Sequence, residues 1–406
     1  TDAQTIIQEA LTACLPDQAV RRALEGRTFG AGRVFLVAVG KAAWQMAHCA
    51  ARLLGDRLEA GVVVTKYGHS RGEIPRCAVY EGGHPVPDEN SFRGTRAAME
   101  LVENLTAEDT VVFLVSGGGS ALFECPLIPA EELSHLTQAM LACGADIVEM
   151  NTVRKRLSAV KGGRFAQLCA PARVFSIVLS DILGDPLDMI ASGPAYPDQS
   201  TCAQAQAVAE KYRLPLSPQA RALLQEETPK ALDNVETVIT GSVRELCAAA
   251  GAACRRLGYE PFLLTDQLCC QAKEAGSFLA SIARTHQDTQ KSLAFLAGGE
   301  TVVLLTGQGK GGRNQELALS AAQGIAGLAD TLIFSLGSDG TDGPTDAAGG
   351  LVDGSTKDRL EAAGLTIHQV LAENDAYHAL DRVGGLIRTG PTGTNVNDVA
   401  VALIKR

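Results

Sequence analysis

The residues best suited to chemistry in this sequence are cations, carboxylates and glycines that follow directly on apolar runs. Thr110 to Val115 is uncharged and β-branched, which reads as a strand buried on both faces, and it delivers Ser116-Gly117-Gly118-Gly119-Ser120. Bare backbone N–H groups at the carboxyl end of a strand let an anion approach the main chain closely. The same glycines also fit a plain tight turn. Lys41 follows the run Arg33 to Val39 and falls at the first turn of an expected helix. There its charge opposes the helix macrodipole at a cost of about a few tenths of a kcal/mol, which a negatively charged ligand would offset; a surface lysine is the alternative. After Val174 to Leu179 come Asp181 and Asp185. Carboxylates at a strand end beside phosphate-holding loops are what Mg²⁺ coordination and hydroxyl activation require, although Asp equally caps turns. The densest basic cluster, Arg154-Lys155-Arg156 with Lys161 and Arg164, puts Val153, Leu157 and Val160 on one helical face and Arg154, Ser158 and Lys161 on the adjoining one. It reads either as a solvated face or as the lining of a cleft for an anionic ligand.

Holding these residues requires an α/β scaffold. Short apolar runs, each ending near Gly, alternate with helical periodicity, so a doubly wound sheet is expected in the N-terminal part. A chain of 406 residues exceeds what one core covers, and two domains are expected. The Pro-, Ser- and Gln-rich stretch Pro197 to Pro218, with Thr228-Pro229, places the boundary near residue 230, giving domains 1–230 and 231–406. The second then opens with a strand, Val235 to Thr240, and a helix, Val243 to Leu257. Hydrophobic residues at 46% and charged residues at 20% are ordinary for a soluble globular protein. The formal charge of −10 argues against nucleic-acid binding. No apolar run approaches the roughly 18 residues needed to span a bilayer. Eleven irregularly spaced cysteines read as reduced, mostly core residues of a cytoplasmic protein.

Other patterns compete. Gly307-Gln308-Gly309-Lys310-Gly311-Gly312 fits G-x-G-x-x-G between an expected strand, Thr301 to Thr306, and an expected helix, Asn314 to Ile325, with Asp339 after the next strand. That is the setting of a dinucleotide fingerprint, although Lys310 and Arg313 make it more cationic than such a site needs. His84, between Gly83 and Pro85 at another strand end, is either functional or a loop brace. Asp339, Asp342 and Asp346 lack the EF-hand spacing and its terminal Glu, and a rigid polar turn accounts for them.

The blocks Ser116-Gly117-Gly118-Gly119-Ser120-Ala121-Leu122, Met150-Asn151-Thr152-Val153-Arg154-Lys155, Ser158 to Arg164, Ser180-Asp181 to Pro194, Gly311-Gly312-Arg313-Asn314-Gln315-Glu316, Thr341 to Gly349 and Thr392-Gly393-Thr394-Asn395 together resemble the class II glycerate kinase family. That family is also met under the label hydroxypyruvate reductase. The likeness covers nearly the whole chain, with the blocks in the family's order. It implies an N-terminal Rossmann-like domain, a smaller C-terminal α/β domain, and ATP-dependent phosphorylation of D-glycerate in the cleft between them, typically at the 2-hydroxyl. By the same resemblance Lys41, Arg313 and Asp185 are catalytic, and Ser116, Gly117, Gly118, Gly119, Ser120 and Lys161 hold ATP. Arg154, Asp181 and Asn314 are assigned to the substrate, with Asp181 and Asp185 as Mg²⁺ candidates. A monomer or homodimer is expected. No Walker A sequence is present, since Gly40-Lys41 is followed by Ala42 and lacks the upstream glycine.

The residue chemistry agrees with that expectation. Phosphoryl transfer needs cations and backbone donors on the phosphoryl oxygens, a metal and an oriented hydroxyl. Lys41 supplies a point charge, and Arg313 a planar fork for a carboxylate or the transferring group. Two rivals stand beside it. An NAD(P)H-dependent hydroxypyruvate reductase would use the Gly307–Gly312 loop, with His84 as its hydride-site histidine paired with Arg and a carboxylate. A non-catalytic sugar-phosphate sensor would have no need of metal-binding and hydroxyl-orienting carboxylates.

Overall fold

The structure, a computed structural model, describes residues 1–406 as two compact units. One comprises Ala19–Leu179 and Asp185–Thr240; the other comprises Thr1–Gln18, Ser180–Gly184 and Gly241–Arg406. No helix is long and apolar enough to cross a membrane.

The sheet of the first unit contains β1 (Val34–Val39), β2 (Leu58–Lys66), β3 (Cys77–Gly82), β4 (Thr110–Val115), β5 (Arg173–Leu179) and β6 (Val235–Gly241), in the order β3-β2-β1-β4-β5-β6. The pairs from β3 through β5 are all parallel. β1 and β4 are buried along their whole length, which is why they read as continuous apolar runs and not as alternating ones. Strand order reverses between them. The loops after β1 and β4 therefore diverge, and a crevice opens at the carboxyl ends of these two strands, where open α/β sheets take their ligands. Lys41 follows one strand and Ser116–Ser120 the other.

Two expectations change here. The strand at Val235 to Thr240 forms, but as the sixth strand of the first sheet and not as the start of the second half. The basic cluster does not continue as a helix: Ile147–Arg156 is helical and stops at Leu157, after which residues 157–163 run as bridge and turns. That helix packs with Ala130–Ala142 and Cys202–Lys211 around Leu133, Leu136, Met140, Val153, Leu157 and Val208.

The second unit has a mixed sheet of β7 (Glu260–Leu268), β8 (Leu293–Gly299), β9 (Thr331–Gly337), β10 (Gly349–Asp353), β11 (Leu386–Ile387) and β12 (Asp398–Ile404), in the order β11-β10-β9-β12-β8-β7. β12 runs antiparallel to both β8 and β9, so its first residue lies beside the last residues of those two strands. Helices Ala272–Thr285 and Arg313–Gly324 cover the sheet through Leu279, Leu317, Ala318 and Ala321. The helix Asp2–Ala13 also belongs to this unit and packs on Val243–Arg256. Thr394 Oγ1 donates to the Cys14 carbonyl at 2.7 Å just past its end.

The expected strand Thr301 to Thr306 is absent. Only an isolated bridge, Gln271 to Val302, forms, and Val302, Leu304 and Leu305 are exposed. Both sides of β8 are already occupied, by β12 and β7, so the chain leaving it cannot pair beside that strand.

Candidate active site

In the first unit the loops after β1 and β4 are tied together by their backbones. Lys41 N–H donates to the Gly117 carbonyl at 2.8 Å, and Ala42 N–H to Ser116 Oγ at 3.1 Å. Gly40, with φ of +116°, has no room for a side chain: a Cβ would lie 2.3 Å from Ser116 Oγ. Gly118, at φ +86°, precedes the single helical turn Gly119–Leu122. A Cβ there would meet His84 Cδ2 at 3.0 Å and Lys41 Cγ at 3.1 Å, so those two side chains flank the glycine backbone. His69 Nδ1 lies 2.9 Å from the Lys41 carbonyl oxygen. The helix Ala43–Leu54 starts immediately afterwards, and its N-cap, Ala42, offers no side-chain cap. Lys41 stands just before this helix and not in its first turn. Burial lowers the His84 pKa, and the charges of Lys41, Lys66 and His69 lower it further. Cations, glycine N–H groups and an uncapped helix start thus converge at the switch point, the combination that holds a phosphate.

Within Ser116–Ser120 the roles divide. Ser116 and Gly119 are buried; Ser116 Oγ is engaged with Ala42 N and the Val39 carbonyl, and a Cβ on Gly119 would reach Ala191 Cβ at 2.5 Å. Gly117, Gly118 and Ser120 are the members partly open to solvent. Ser120 Oγ lies 2.9 Å from Ser192 Oγ, which donates to Asn151 Oδ1 at 3.2 Å. Ser192 occurs in the run Ala191, Ser192, Gly193 with φ of +53°, +62° and +62°. For the two non-glycine residues that backbone costs about 1–3 kcal/mol each. Gly162 N–H and Gly163 N–H brace it by donating to the carbonyls of Ser192 and Gly193. Asp185 also has positive φ, +52°, and its Oδ1 is buried without a hydrogen-bond partner.

The basic cluster is mostly internal, and the side chain of Lys161, expected on ATP, is engaged within the protein. Lys161 is fully buried; its Nζ donates to the carbonyls of Ser120 at 2.6 Å and Phe123 at 3.1 Å, and sits 3.5 Å from Glu124 Oε2. Lys161 therefore braces the glycine loop from beneath. Lys155 pairs with Asp198 at 3.3 Å, Arg156 with Glu227 at 3.2 Å, and Arg164 donates to the Ser158 carbonyl at 2.7 Å. Arg154 enters none of the ion pairs, and its Nε is buried and unpartnered.

In the second unit Arg313 opens the helix Arg313–Gly324. Its Nε and Nη2 grip Asp398, the latter at 3.0 Å, and its Nη1 lies 3.2 Å from Glu300. The hydrogen-bonded Asp398 carboxylate holds the guanidinium above its already high ordinary pKa, so the charge is permanent. Asn397 Nδ2 donates to the Asp181 carbonyl at 3.0 Å and to Glu300 Oε2 at 3.3 Å. Glu300, Asn397 and Asp398 come together because β8 ends where β12 begins. Sequence reasoning did not assign them; Gly298-Gly299-Glu300 at a strand end was the available signal for the first.

Asn314, expected on the substrate, is instead 1% exposed. It donates to Asp342 Oδ1 at 3.1 Å and accepts from Ser335 Oγ at 2.6 Å. The Asp342 carboxylate also accepts from the backbone N–H groups of Asn314 and Gln315, capping the helix that carries Arg313. Burial raises the Asp342 pKa against those bonds. Asp346 binds Tyr377 OH at 2.7 Å, and Asp339 closes its own turn on Thr341 N–H.

Three amides of the G-x-G-x-x-G loop are already engaged. Gly307 N–H donates to Asn374 Oδ1, Gly309 N–H to the Glu373 carbonyl and Lys310 N–H to Asp375 Oδ1. With no strand before it and these three amides engaged, the loop lacks the setting of a dinucleotide site.

A parallel sheet with an anion cradle at its switch point, joined in one chain to a mixed sheet bearing a clamped arginine, defines a phosphotransferase-like α/β protein. Comparison with known proteins gives the family. The family described as Domain of unknown function (DUF4147) matches residues 2–225, and the MOFRL family matches residues 293–398. The chain is 51% identical over 405 residues to D-glycerate 2-kinase of Thermotoga maritima, covering 98% of this chain and 97% of that one. It is 40% identical over 426 residues to glycerate 2-kinase of Pyrococcus horikoshii, covering 98% and 96%. The crystal structure of glycerate kinase from Thermotoga maritima superposes with a TM-score of 0.96 at 51% identity, over 99% of this chain and 98% of that one. The chain belongs to the class II glycerate kinase family.

Proposed function

We propose that this protein transfers the γ-phosphoryl group of ATP to D-glycerate, at the 2-hydroxyl. The observation that carries the reading is the lacing of Lys41 to the Gly117–Gly118 backbone at the β1/β4 switch point. There Lys41 Nζ and the glycine N–H groups meet the charge that builds on the phosphoryl oxygens, fixed in place before the substrate arrives. Asp185 fits a Mg²⁺ ion because its Oδ1 is buried and without a partner; Asp181, four residues earlier, is the second candidate ligand. No group of three or more ligating side chains could hold a metal, in keeping with an ion that takes one or two carboxylates and completes its shell with phosphate oxygens and water. Such an ion would neutralise charge on those oxygens. Arg313 keeps Asp398, 8% exposed, as its inner partner and exchanges Glu300, 46% exposed, for the glycerate carboxylate. Glu300 and Asn397 are then placed to orient its hydroxyls.

The test is an assay of the purified protein with D-glycerate, ATP and Mg²⁺, with the product identified by phosphorus NMR. ADP and 2-phosphoglycerate are expected. Exclusive 3-phosphoglycerate would move the reaction to the other hydroxyl, and oxidation of NADH by hydroxypyruvate without ADP formation would overturn the kinase reading.

A pH effect follows from His84. Its pKa lies below the ordinary value of 6.5, so it is neutral at pH 7.5. An anion set beside Lys41 raises that pKa again, and binding takes up a proton. Tripolyphosphate should therefore bind more tightly as the pH falls from 7.5 through 6.5, and the slope should flatten in His84→Gln. Equal slopes in titrations of the two proteins would separate His84 from the phosphate site.

A further inference from the structure

A cavity of about 480 Å³ opens in the first unit between the helices Ile147–Arg156 and Cys202–Lys211 and the segment 188–200. That volume is in the range of small-ligand sites. We infer that it takes the nucleoside part of the nucleotide, a purine base with its ribose, an assignment that rests on the kinase reading above.

Three observations carry it. The first is place. Asn151 lines the cavity, and its Oδ1 accepts from Ser192 Oγ, which lies 2.9 Å from Ser120 Oγ of the glycine loop. The cavity wall is thus two hydrogen bonds from the phosphate cradle, and the strained Ala191–Gly193 backbone is the link that fixes the spacing. The second is charge. Lys155 is neutralised by Asp198 at 3.3 Å, and Lys211 by Glu149 at 2.6 Å. Asp188, 47% exposed and 3.9 Å from Lys155, is the remaining charged group of the lining. With no excess positive charge the cavity is unsuited to a second polyphosphate, whereas a carboxylate such as Asp188 accepts hydrogen bonds from ribose hydroxyls. The third is the wall chemistry. Val148, Met189 and Val208 supply apolar surface for a flat ring, and Gln199 and Gln204 supply side-chain amides. Gln204 Oε1 already accepts from Thr201 N–H, leaving its NH₂ as donor; the Gln199 amide offers both donor and acceptor to a base edge.

The experiment fills the cavity from its rim. Val148 is 59% exposed and Ala207 is exposed, on the two helices that face each other across the opening. Val148→Trp and Ala207→Trp are each compared with the wild-type protein for binding of ADP and of tripolyphosphate by calorimetry, with thermal melting as the control for folding. The expected result is a rise of tenfold or more in the Kd for ADP and in the KM for ATP, with the Kd for tripolyphosphate within twofold. Unchanged ADP binding in two folded variants would overturn the cavity assignment while leaving the kinase reading standing. A wild-type protein that forms no ADP from ATP and D-glycerate would overturn the kinase reading itself, and the assignment with it.

Discussion

Lys41→Ala should lower kcat/KM for glycerate phosphorylation by about 10³-fold or more, equivalent to roughly 4 kcal/mol of transition-state stabilisation. Its melting temperature should stay within a few degrees of the wild-type value. The separation arises because the structural and chemical parts of Lys41 are different atoms. Its N–H ties the β1 loop to the Gly117 carbonyl and its carbonyl oxygen faces His69, and both survive in alanine. The lost part is the side chain that passes Gly118 at its Cγ, with the ammonium group it carries. Ala42 N–H continues to hold Ser116, so the glycine loop keeps its shape. Removing Lys41 also lifts one of the charges that lower the His84 pKa, so the variant should titrate His84 closer to its ordinary value, an effect proton NMR can read. A folded Lys41→Ala protein retaining more than a tenth of wild-type turnover would remove Lys41 from the chemistry. A wild-type protein that binds ATP and glycerate without turning over would instead favour the sensor reading.

The parallel half of the fold was legible because buried parallel strands announce themselves as uninterrupted apolar runs, and the switch-point residues because they come directly after two such runs. What was not legible depended on which strands become neighbours. Val235 to Thr240 reads the same whether it opens a second sheet or closes the first, and only pairing decides. Thr301 to Thr306 has strand composition but forms only an isolated bridge, and both sides of β8, the strand it follows, are occupied. Glu300 lies 97 positions from Asn397 and its neighbour Asp398, and they meet only because β12 runs antiparallel beside β8. The basic cluster misled for a related reason. Charge in a sequence is taken as solvated, yet Arg156 and Lys161 are 0% exposed, and the carboxylates paired with them, Glu227 and Glu124, are remote in sequence. The motif of Asn314 sits next to Arg313, and which way its side chain turns, inward to Asp342, is not legible in the sequence.

Lys161→Met should lower stability by about 3–5 kcal/mol, the cost of leaving a buried charge without its partner. Glu124 and Lys161 are both wholly buried, Glu124 Oε1 and Oε2 make no hydrogen bond, and the ammonium is the countercharge nearest to them. Burial already pushes the Lys161 pKa down to about 8, with Glu124 pulling the other way. Because the folded-state value lies below the unfolded one near 10.4, the unfolded chain takes the proton first as the pH falls. Protonation therefore costs stability between about pH 10 and pH 8, and the cost is constant below that. The wild-type protein should thus gain stability from pH 8 to pH 10 by this term, and Lys161→Met should lack the gain. Pairing the change with Glu124→Leu removes the stranded carboxylate, and urea unfolding should recover most of the lost stability, since well-packed apolar pairs replace buried ion pairs at little cost. Activity should not recover with it. Lys161 Nζ is also the donor that holds the Ser120 and Phe123 carbonyls, and methionine supplies no donor for either, leaving the turn beneath Gly117 and Gly118 unanchored. A stable double variant with raised KM for ATP and turnover reduced by tenfold or more would identify Lys161 as a positioning residue of the phosphate loop. A stable double variant with wild-type kinetics would reduce the pair to a packing feature of the first unit.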